Sequence, residues 1–319
     1  MPRYQPPDAM ESPRIGGVRT FMRLPHIRTT EDVDFVVVGI PFDTSTTYRV
    51  GARFGPQAIR AGSTTLRPFN AYHGVDIFEH LSGVDYGDVG VVPGYIEASY
   101  ERIEEGLKPI VDAGVIPIGL GGDHSITLAE LRALSKRHGP LGLVQIDAHP
   151  DTWEGHWGKK YNHGTVFRRA TEEGVIDPHR VIQVGLRGPI YGYEDYDQSR
   201  EMGMEVITMQ DVREIGLEEV MRRIRARVGD GKTFLTYDID SWDPAYAPGT
   251  GTPEIGGFTS HEGLTLVRGM TGIDFVGGDL VEVYPMYDHA EITAMGAANV
   301  LFEFLSLLAM RKRDGTLSA

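Results

Sequence analysis

The stretch Leu141-Gly-Leu-Val-Gln-Ile146, followed by Asp147-Ala-His-Pro-Asp151, is the most informative part of the chain. Its first half is a short and almost continuous apolar run, which is typical of a strand buried within a parallel sheet. Its second half places two carboxylates and an imidazole directly after that strand. Because ligands of open α/β sheets bind beyond the carboxyl ends of the strands, the stretch predicts a polar site there.

Two further segments have the same construction. The apolar run 115–120 precedes Gly121-Gly-Asp-His124, and the run 233–237 precedes Asp238-Ile-Asp240. In an extended segment, residues two apart point to the same side. Such a set of buried polar groups is costly to desolvate without a compensating cation. We therefore predict a site for two divalent metal ions with six ligands: His124, Asp147, His149, Asp151, Asp238 and Asp240.

The remaining sequence alternates between strand and helix patterns, which predicts a three-layer α/β/α fold with a mostly parallel central sheet. We expect an N-terminal arm at residues 1–30, rich in Pro and Arg, and a single catalytic domain at 31–319. Strands are predicted near 34–40, 115–120, 141–147, 180–186, 204–208, 233–239 and 273–283. Helices are predicted near 55–60, 95–113, from 125 onward, and near 164–174, 195–202, 210–227, 259–270 and 291–311.

The composition limits the classes of partner. A formal charge of −14 argues against nucleic acid and anionic membranes and suits a small cationic substrate. The absence of Cys excludes disulfides, thiolate catalysis and Cys-based zinc sites. The first residues carry no apolar core of a signal peptide, so we expect a cytoplasmic protein. The apolar stretch 294–310 contains Asn299 and Glu303, which favours a buried terminal helix over a membrane span.

Four motifs together resemble the ureohydrolases, the family of arginase, agmatinase and their relatives. They are Gly121-Gly-Asp-His-Ser125, Asp147-Ala-His-Pro-Asp151, His163-Gly-Thr165 and the segment 238–254 that begins Asp238-Ile-Asp-Ser-Trp. The resemblance runs from about residue 36 to about residue 308. It implies an arginase- or deacetylase-like fold, two Mn²⁺ per chain, a homo-trimer or homo-hexamer, and hydrolysis of a guanidinium to urea and an amine. Ni²⁺ also fits this set of oxygen and nitrogen ligands.

The resemblance also implies a role for each metal ligand. His124 and Asp151 match the terminal ligands of one metal, and His149 and Asp240 match those of the other. Asp147 and Asp238 match the bridging carboxylates.

Three further residues are candidates for catalysis and substrate binding. Asp151 is expected to pass a proton to the leaving nitrogen, and His163 to act as a proton shuttle that also contacts the substrate. Glu282 is expected to pair with the guanidinium. The alternatives are a helix-capping or surface His163 and an ion pair between Glu282 and an arginine. Arg49, Arg53 and Arg187 are expected to hold loops or subunit contacts.

The substrate is predicted less directly than the reaction. Trp153, two residues beyond a predicted ligand, is expected to wall the pocket, and agmatine is the expected substrate, giving putrescine and urea. Guanidinobutyrate, guanidinopropionate, guanidine and a substituted biguanide remain alternatives. A one-metal amide hydrolase of deacetylase type and a non-catalytic subunit are alternatives of other classes.

Overall fold

The computed structural model of the protein describes residues 2–317. Its strands are β1 Phe35–Ile40, β2 Phe69–Asn70, β3 Val75–Asp76, β4 Gly83–Asp88, β5 Ile116–Gly121, β6 Leu141–Ile146, β7 Ile176–Leu186, β8 Glu205–Thr208, β9 Thr233–Asp238 and β10 Phe275–Val281. Its α-helices are α1 Gly55–Gly62, α2 Ile77–His80, α3 Ile96–Asp112, α4 Thr127–His138, α5 Val166–Glu172, α6 Glu194–Glu201, α7 Met209–Ile215, α8 Leu217–Val228, α9 Ser260–Arg268 and α10 Ile292–Arg313.

Eight strands form one sheet in the order β4-β1-β5-β10-β9-β6-β7-β8, and neighbouring strands pair in parallel. Strand β1 shows why the sheet is covered on both faces. Phe35 and Val37 belong to one buried core cluster, whereas Val36 and Val38 belong to the other. Successive side chains of a strand point to opposite faces, so each face requires its own layer of helices. The predicted three-layer α/β/α fold is confirmed.

The strand order explains how distant motifs meet. Strands β5, β10, β9 and β6 are consecutive in the middle of the sheet. His124 follows β5, Asp147 follows β6, Asp238 ends β9, and Glu282 follows β10. Because all four strands are parallel, their carboxyl ends lie at the same edge. The fold therefore gathers these four side chains at one place.

The fold differs from the sequence prediction in several places, and the short elements β2, β3 and α2 were not predicted. Strand β4 was not predicted, because Gly83-Val-Asp-Tyr-Gly-Asp88 lacks a continuous apolar run. The predicted helix 210–227 is two helices, α7 and α8, separated by Gly216 at φ 78°. Part of the predicted arm is not superficial, since Phe21, Met22 and Leu24 are buried in the core.

Helix α10 is long and apolar enough to cross a membrane by length and composition alone. In the structure, however, 72% of its most apolar window is buried inside the protein. Its environment is that of a core helix, as the sequence predicted, because Leu301, Phe304 and Leu308 belong to the same buried core cluster as Phe35 and Val37 of β1.

Candidate active site

His124 lies at the centre of the first group of candidate ligands. Its Nδ1 atom is 3.1 Å from Asp147 Oδ2, 3.0 Å from Asp151 Oδ2 and 3.3 Å from Asp238 Oδ2. Its Nε2 atom lies 2.8 Å from Thr236 Oγ1, which fixes the orientation of the ring. The buried Nδ1 atom makes no well-formed hydrogen bond. A ring nitrogen facing three carboxylate oxygens in this way fits a ligand of a divalent cation.

His149 lies at the centre of the second group. Its Nδ1 atom is 3.0 Å from Asp240 Oδ2 and 3.7 Å from Asp147 Oδ1. The two oxygens of Asp147 therefore face different imidazoles. Two overlapping sets of residues could each hold a metal ion, one with His124 and Asp151 and the other with His149 and Asp240, and Asp147 belongs to both.

The electrostatics of the cluster also fit a pair of cations. Burial and the charge of Asp147 raise the pKa of Asp151 to about 6. Burial, Asp240 and Asp147 raise the pKa of Asp238 well above its usual value. Buried carboxylates this close together repel each other in their ionised form, and divalent cations would offset that cost. The four carboxylates and two imidazoles, without sulfur, suit hard or borderline ions such as Mn²⁺.

A buried pair of amides holds the shared carboxylate. Gln145 Nε2 donates to Asp147 Oδ2 at 2.7 Å and to the carbonyl of His149 at 3.0 Å. Gln183 Nε2 donates to Gln145 Oε1 at 2.6 Å and to the carbonyl of Pro150 at 2.6 Å. Since carbonyl oxygens only accept hydrogen bonds, they fix the direction of both amides. Gln145 therefore always presents a donor to Asp147.

Glu282 lies immediately after β10, in a left-handed conformation at φ 63°. Its Oε1 atom accepts a hydrogen bond from the main-chain N–H of His124 at 2.8 Å and lies 3.2 Å from His163 Nδ1. Within residues 2–317 no arginine pairs with Glu282, and its buried Oε2 atom has no hydrogen-bond partner. A non-glycine residue with positive φ stores strain, and such strain is concentrated at functional sites.

His163 connects Glu282 to the loop after β1. Thr47 places its main-chain N–H 3.1 Å and its hydroxyl 2.9 Å from His163 Nε2. Burial lowers the pKa of His163, but the hydrogen bond and charge of Glu282 outweigh it and raise the pKa to about 8. His163 is thus buried and hydrogen-bonded on both ring nitrogens, so it is not the surface histidine considered as an alternative.

A cavity of about 560 Å³ opens above these groups. Its volume suits a small molecule. Asp151, His163 and Trp153 line it, whereas Glu282, in contact with His163, is not among the lining residues. The full lining is Thr47, His149, Asp151, Trp153, His156, Trp157, His163, Gly164, Pro189, Ile190, Tyr191, Asp195, Asp238, Thr252 and Glu254.

Trp242, Arg53 and Arg187 have structural roles. Trp242 is buried, and its Nε1 atom donates to the Tyr237 hydroxyl at 2.7 Å. Arg53 pairs with Asp43 in the loop between β1 and α1. Arg187 donates to several main-chain carbonyls, including that of Asp240 at 2.8 Å, and so braces the loop that carries this candidate ligand.

Several residues of the cavity wall were missed by the sequence analysis, among them Thr47, Asp195 and Glu254. Thr47 lies in a Thr-rich loop, Asp195 lies at the start of α6, and Glu254 lies within a recognised motif without an assigned role. Of these three, Glu254 carried a usable signal, since it ends the segment that begins with two candidate ligands.

Comparison with known proteins identifies the family. The model of the arginase family matches residues 33–306. The guanidinobutyrase of Pseudomonas aeruginosa is 44% identical over 96% of this chain and 97% of its own length. The mitochondrial agmatinase of Gallus gallus is 45% identical over 95% of this chain and 89% of its own length.

The solved structures agree with the sequence comparison. The proclavaminate amidino hydrolase of Streptomyces clavuligerus superposes with a TM-score of 0.90 at 40% identity, over 93% of this chain and 99% of that one. The chain thus belongs to the arginase family and is a guanidino-group amidinohydrolase, a hydrolase of C–N bonds in linear amidines.

Proposed function

We propose that this enzyme hydrolyses agmatine to putrescine and urea, with two Mn²⁺ ions held by His124, Asp147, His149, Asp151, Asp238 and Asp240. The charge of the cavity wall carries this proposal. Asp195 and Glu254 line the cavity in addition to the candidate ligands, and no Lys or Arg belongs to the lining formed by residues 2–317. A cationic tail is therefore favoured there over a carboxylate tail.

Charge balance supports the same conclusion. Four candidate ligands are carboxylates, which two divalent cations would neutralise. Glu254, with its Oε1 atom 3.9 Å from His149 Nε2, then remains to face the terminal ammonium of agmatine. Trp153 and Trp157 add aromatic faces, which attract cations.

The ions would lower the pKa of a shared water toward neutrality and orient it for attack. The reaction forms a C–O bond to the guanidino carbon and breaks the C–N bond to the alkyl amine. The leaving nitrogen must gain a proton first. Asp151 lines the cavity beside the other candidate ligands, so its carboxylate is placed to take the proton from the attacking water and deliver it to that nitrogen.

Glu282 and His163 have supporting roles in this proposal. The Oε2 atom of Glu282, which makes no well-formed hydrogen bond, would accept one from the guanidinium. His163 would exchange protons between the cavity and solvent, since its pKa of about 8 lies close to neutral pH.

Urea release from a panel of guanidino compounds tests the proposal. The Mn²⁺-loaded enzyme should show its highest kcat/KM with agmatine, and Glu254→Gln should raise the KM for agmatine more than that for guanidinobutyrate. Faster turnover of guanidinobutyrate, guanidinopropionate or guanidine than of agmatine would contradict the substrate assignment while leaving the reaction class intact.

A further inference from the structure

Asp195 adds negative charge to the cavity wall but takes no part in the proposed chemical step, and its hydrogen bonds point to a second role. It lies in the first turn of α6 with 4% of its surface exposed, and within residues 2–317 no Lys or Arg pairs with it. Its Oδ1 atom accepts a hydrogen bond from Trp153 Nε1 at 3.1 Å. Its Oδ2 atom accepts one from the main-chain N–H of Tyr191 at 2.9 Å. Burying a carboxylate against neutral donors costs free energy, so this arrangement needs a reason.

The two donors belong to different walls of the cavity. Trp153 comes from the loop after β6, two residues beyond Asp151, whereas Tyr191 comes from the loop after β7. Both residues line the cavity, together with Pro189 and Ile190 beside Tyr191. A single carboxylate therefore joins the two loops that form the outer part of the cavity.

The indole of Trp153 is held on other sides as well. A Cβ atom on Gly164 would lie 2.8 Å from its Cε3 atom, so the ring packs directly on that glycine. The His156 ring meets the indole edge-to-face at 5.4 Å between centroids. With Nε1 bonded to Asp195, the ring has little freedom to turn. The indole is thus held in one orientation in the wall of the cavity that would receive the substrate.

Helix α6 carries a second link to the same loop. Thr152 Oγ1 lies 2.9 Å from Ser199 Oγ, one turn beyond Asp195. Both groups are buried. The helix therefore supports the loop at two neighbouring residues, and Asp195 is the point at which this support reaches the cavity wall.

We propose that Asp195 is a specificity-determining residue, which sets the length of the accepted substrate tail by holding the Trp153 indole and the Tyr191 main chain together. The proposal rests on hydrolysis of guanidino compounds and does not require agmatine to be the preferred one. Asp195 acts through Trp153 and is a positioning residue, without a part in the chemical step.

Asp195→Asn and Trp153→Phe test the proposal with two series of substrates. The series are ω-aminoalkylguanidines and ω-guanidino acids, each with two to five methylene groups. Asn cannot accept from both donors, and Phe keeps an aromatic ring without its N–H. Both variants should reduce the preference for the best tail length over the next longer one by about tenfold, through KM rather than kcat.

Asp197→Asn is the matched control, because it makes the same chemical change on the same helix at an exposed residue. It should leave the length preference unchanged. The double variant of Asp195 and Trp153 should be less relaxed than the two single effects added together, because both residues act through the hydrogen bond between them.

Two results would overturn the proposal. One is an unchanged length preference in both single variants. The other is an equal loss of kcat for all tail lengths in Asp195→Asn, which would show that the residue only supports the fold. If the acids are hydrolysed and agmatine is not, the proposed substrate fails but the length test still applies to the acid series.

Discussion

At the scale of single residues, His163 is held between groups that favour opposite protonation states. The main-chain N–H of Thr47 points at Nε2, which favours a neutral ring with its proton on Nδ1. Glu282 beside Nδ1 favours the imidazolium form. Burial lowers the pKa of His163, but the hydrogen bond and charge of Glu282, with the charges of Asp151 and Asp123, raise it to about 8. A group with this pKa exchanges protons readily near neutral pH.

His163→Ala should therefore slow urea release on the order of 10²-fold or more, the usual scale for loss of a positioned acid or base. Metal content should not change, because His163 belongs to neither candidate ligand group. The measurement is kcat from about pH 6 to about pH 9, with metal analysis of the same samples. Wild-type rates across that range would show that His163 is not a shuttle.

The same residue predicts a pH dependence of stability. The folded protein raises the pKa of His163 from 6.5 to about 8, so it favours the protonated form. This contribution, about 2 kcal/mol, should be complete below about pH 6.5 and disappear as the pH rises through about 8. The free energy of unfolding should thus differ more between wild type and His163→Ala at about pH 6 than at about pH 9. A larger difference at the higher pH would contradict the assignment.

At the scale of secondary-structure elements, α4 packs a carboxyl group against β10. Burial and Asp279 raise the pKa of Glu130 well above its usual value, so the folded protein favours protonated Glu130. Neither of its side-chain oxygens has a partner of good geometry within residues 2–317. The contribution of Glu130 to the free energy of unfolding is complete below the pKa that Glu130 has in the unfolded chain. It is lost as the pH rises from that value through the higher pKa of the folded protein, because the unfolded chain then releases the proton and the folded protein does not.

Glu130→Gln should therefore stabilise the protein at neutral pH, since the amide has nearly the same shape and does not ionise. The gain should be small at about pH 4 and larger at about pH 8. Chemical denaturation of both proteins at the two pH values measures it. A variant that is less stable than wild type at the higher pH would contradict the prediction.

The elements also show what the sequence could and could not predict. The apolar runs before His124, Asp147 and Asp238 predicted buried strands, and parallel pairing then required their ends to meet. Strand β4 escaped because pairing with β1 places its Gly- and Asp-rich sequence in the sheet without apolar periodicity. Thr47 and Asp195 were not predicted because the conformations of the loops after β1 and β7 bring them to the cavity. No periodic sequence pattern encodes such conformations.

The backbone conformation of two site residues could not be predicted from the sequence. Asp151 and Glu282 have φ values of 51° and 63°, conformations that non-glycine residues seldom adopt. The surrounding hydrogen bonds enforce them, and local sequence does not. The pattern of polar residues after the strands pointed to Asp151, and the family resemblance favoured a functional role for Glu282, but neither indicated the left-handed conformation.

At the scale of the whole molecule, an exposed apolar surface predicts self-association. Tyr48, Val50 and Met286 expose 72%, 55% and 68% of their surface, respectively. A Cβ atom on Gly51 would lie 3.3 Å from Met286 Sδ, so the two segments are adjacent. Arg49 stacks over the Tyr287 ring at 4.5 Å. Exposed apolar patches of this kind often mark interfaces between subunits.

This surface supports self-association, and the family resemblance implies that the assembly is a homo-trimer or homo-hexamer. Light scattering at micromolar concentration measures the mass directly. Met286→Glu should weaken the assembly, because a charge at an apolar interface is costly to bury. A monomeric wild-type protein would contradict this expectation, and it would leave the catalytic proposal untouched.

The central claim is that His124, Asp147, His149, Asp151, Asp238 and Asp240 hold two divalent ions that are both required for hydrolysis. Titration of the metal-free protein with Mn²⁺ tests it most directly, with bound metal and urea release measured in the same sample. We predict two ions per chain, activity that is complete only with the second, and loss of metal and activity in Asp147→Asn. Full urea release with one ion per chain, or near-normal metal and rate in Asp147→Asn, would contradict the claim.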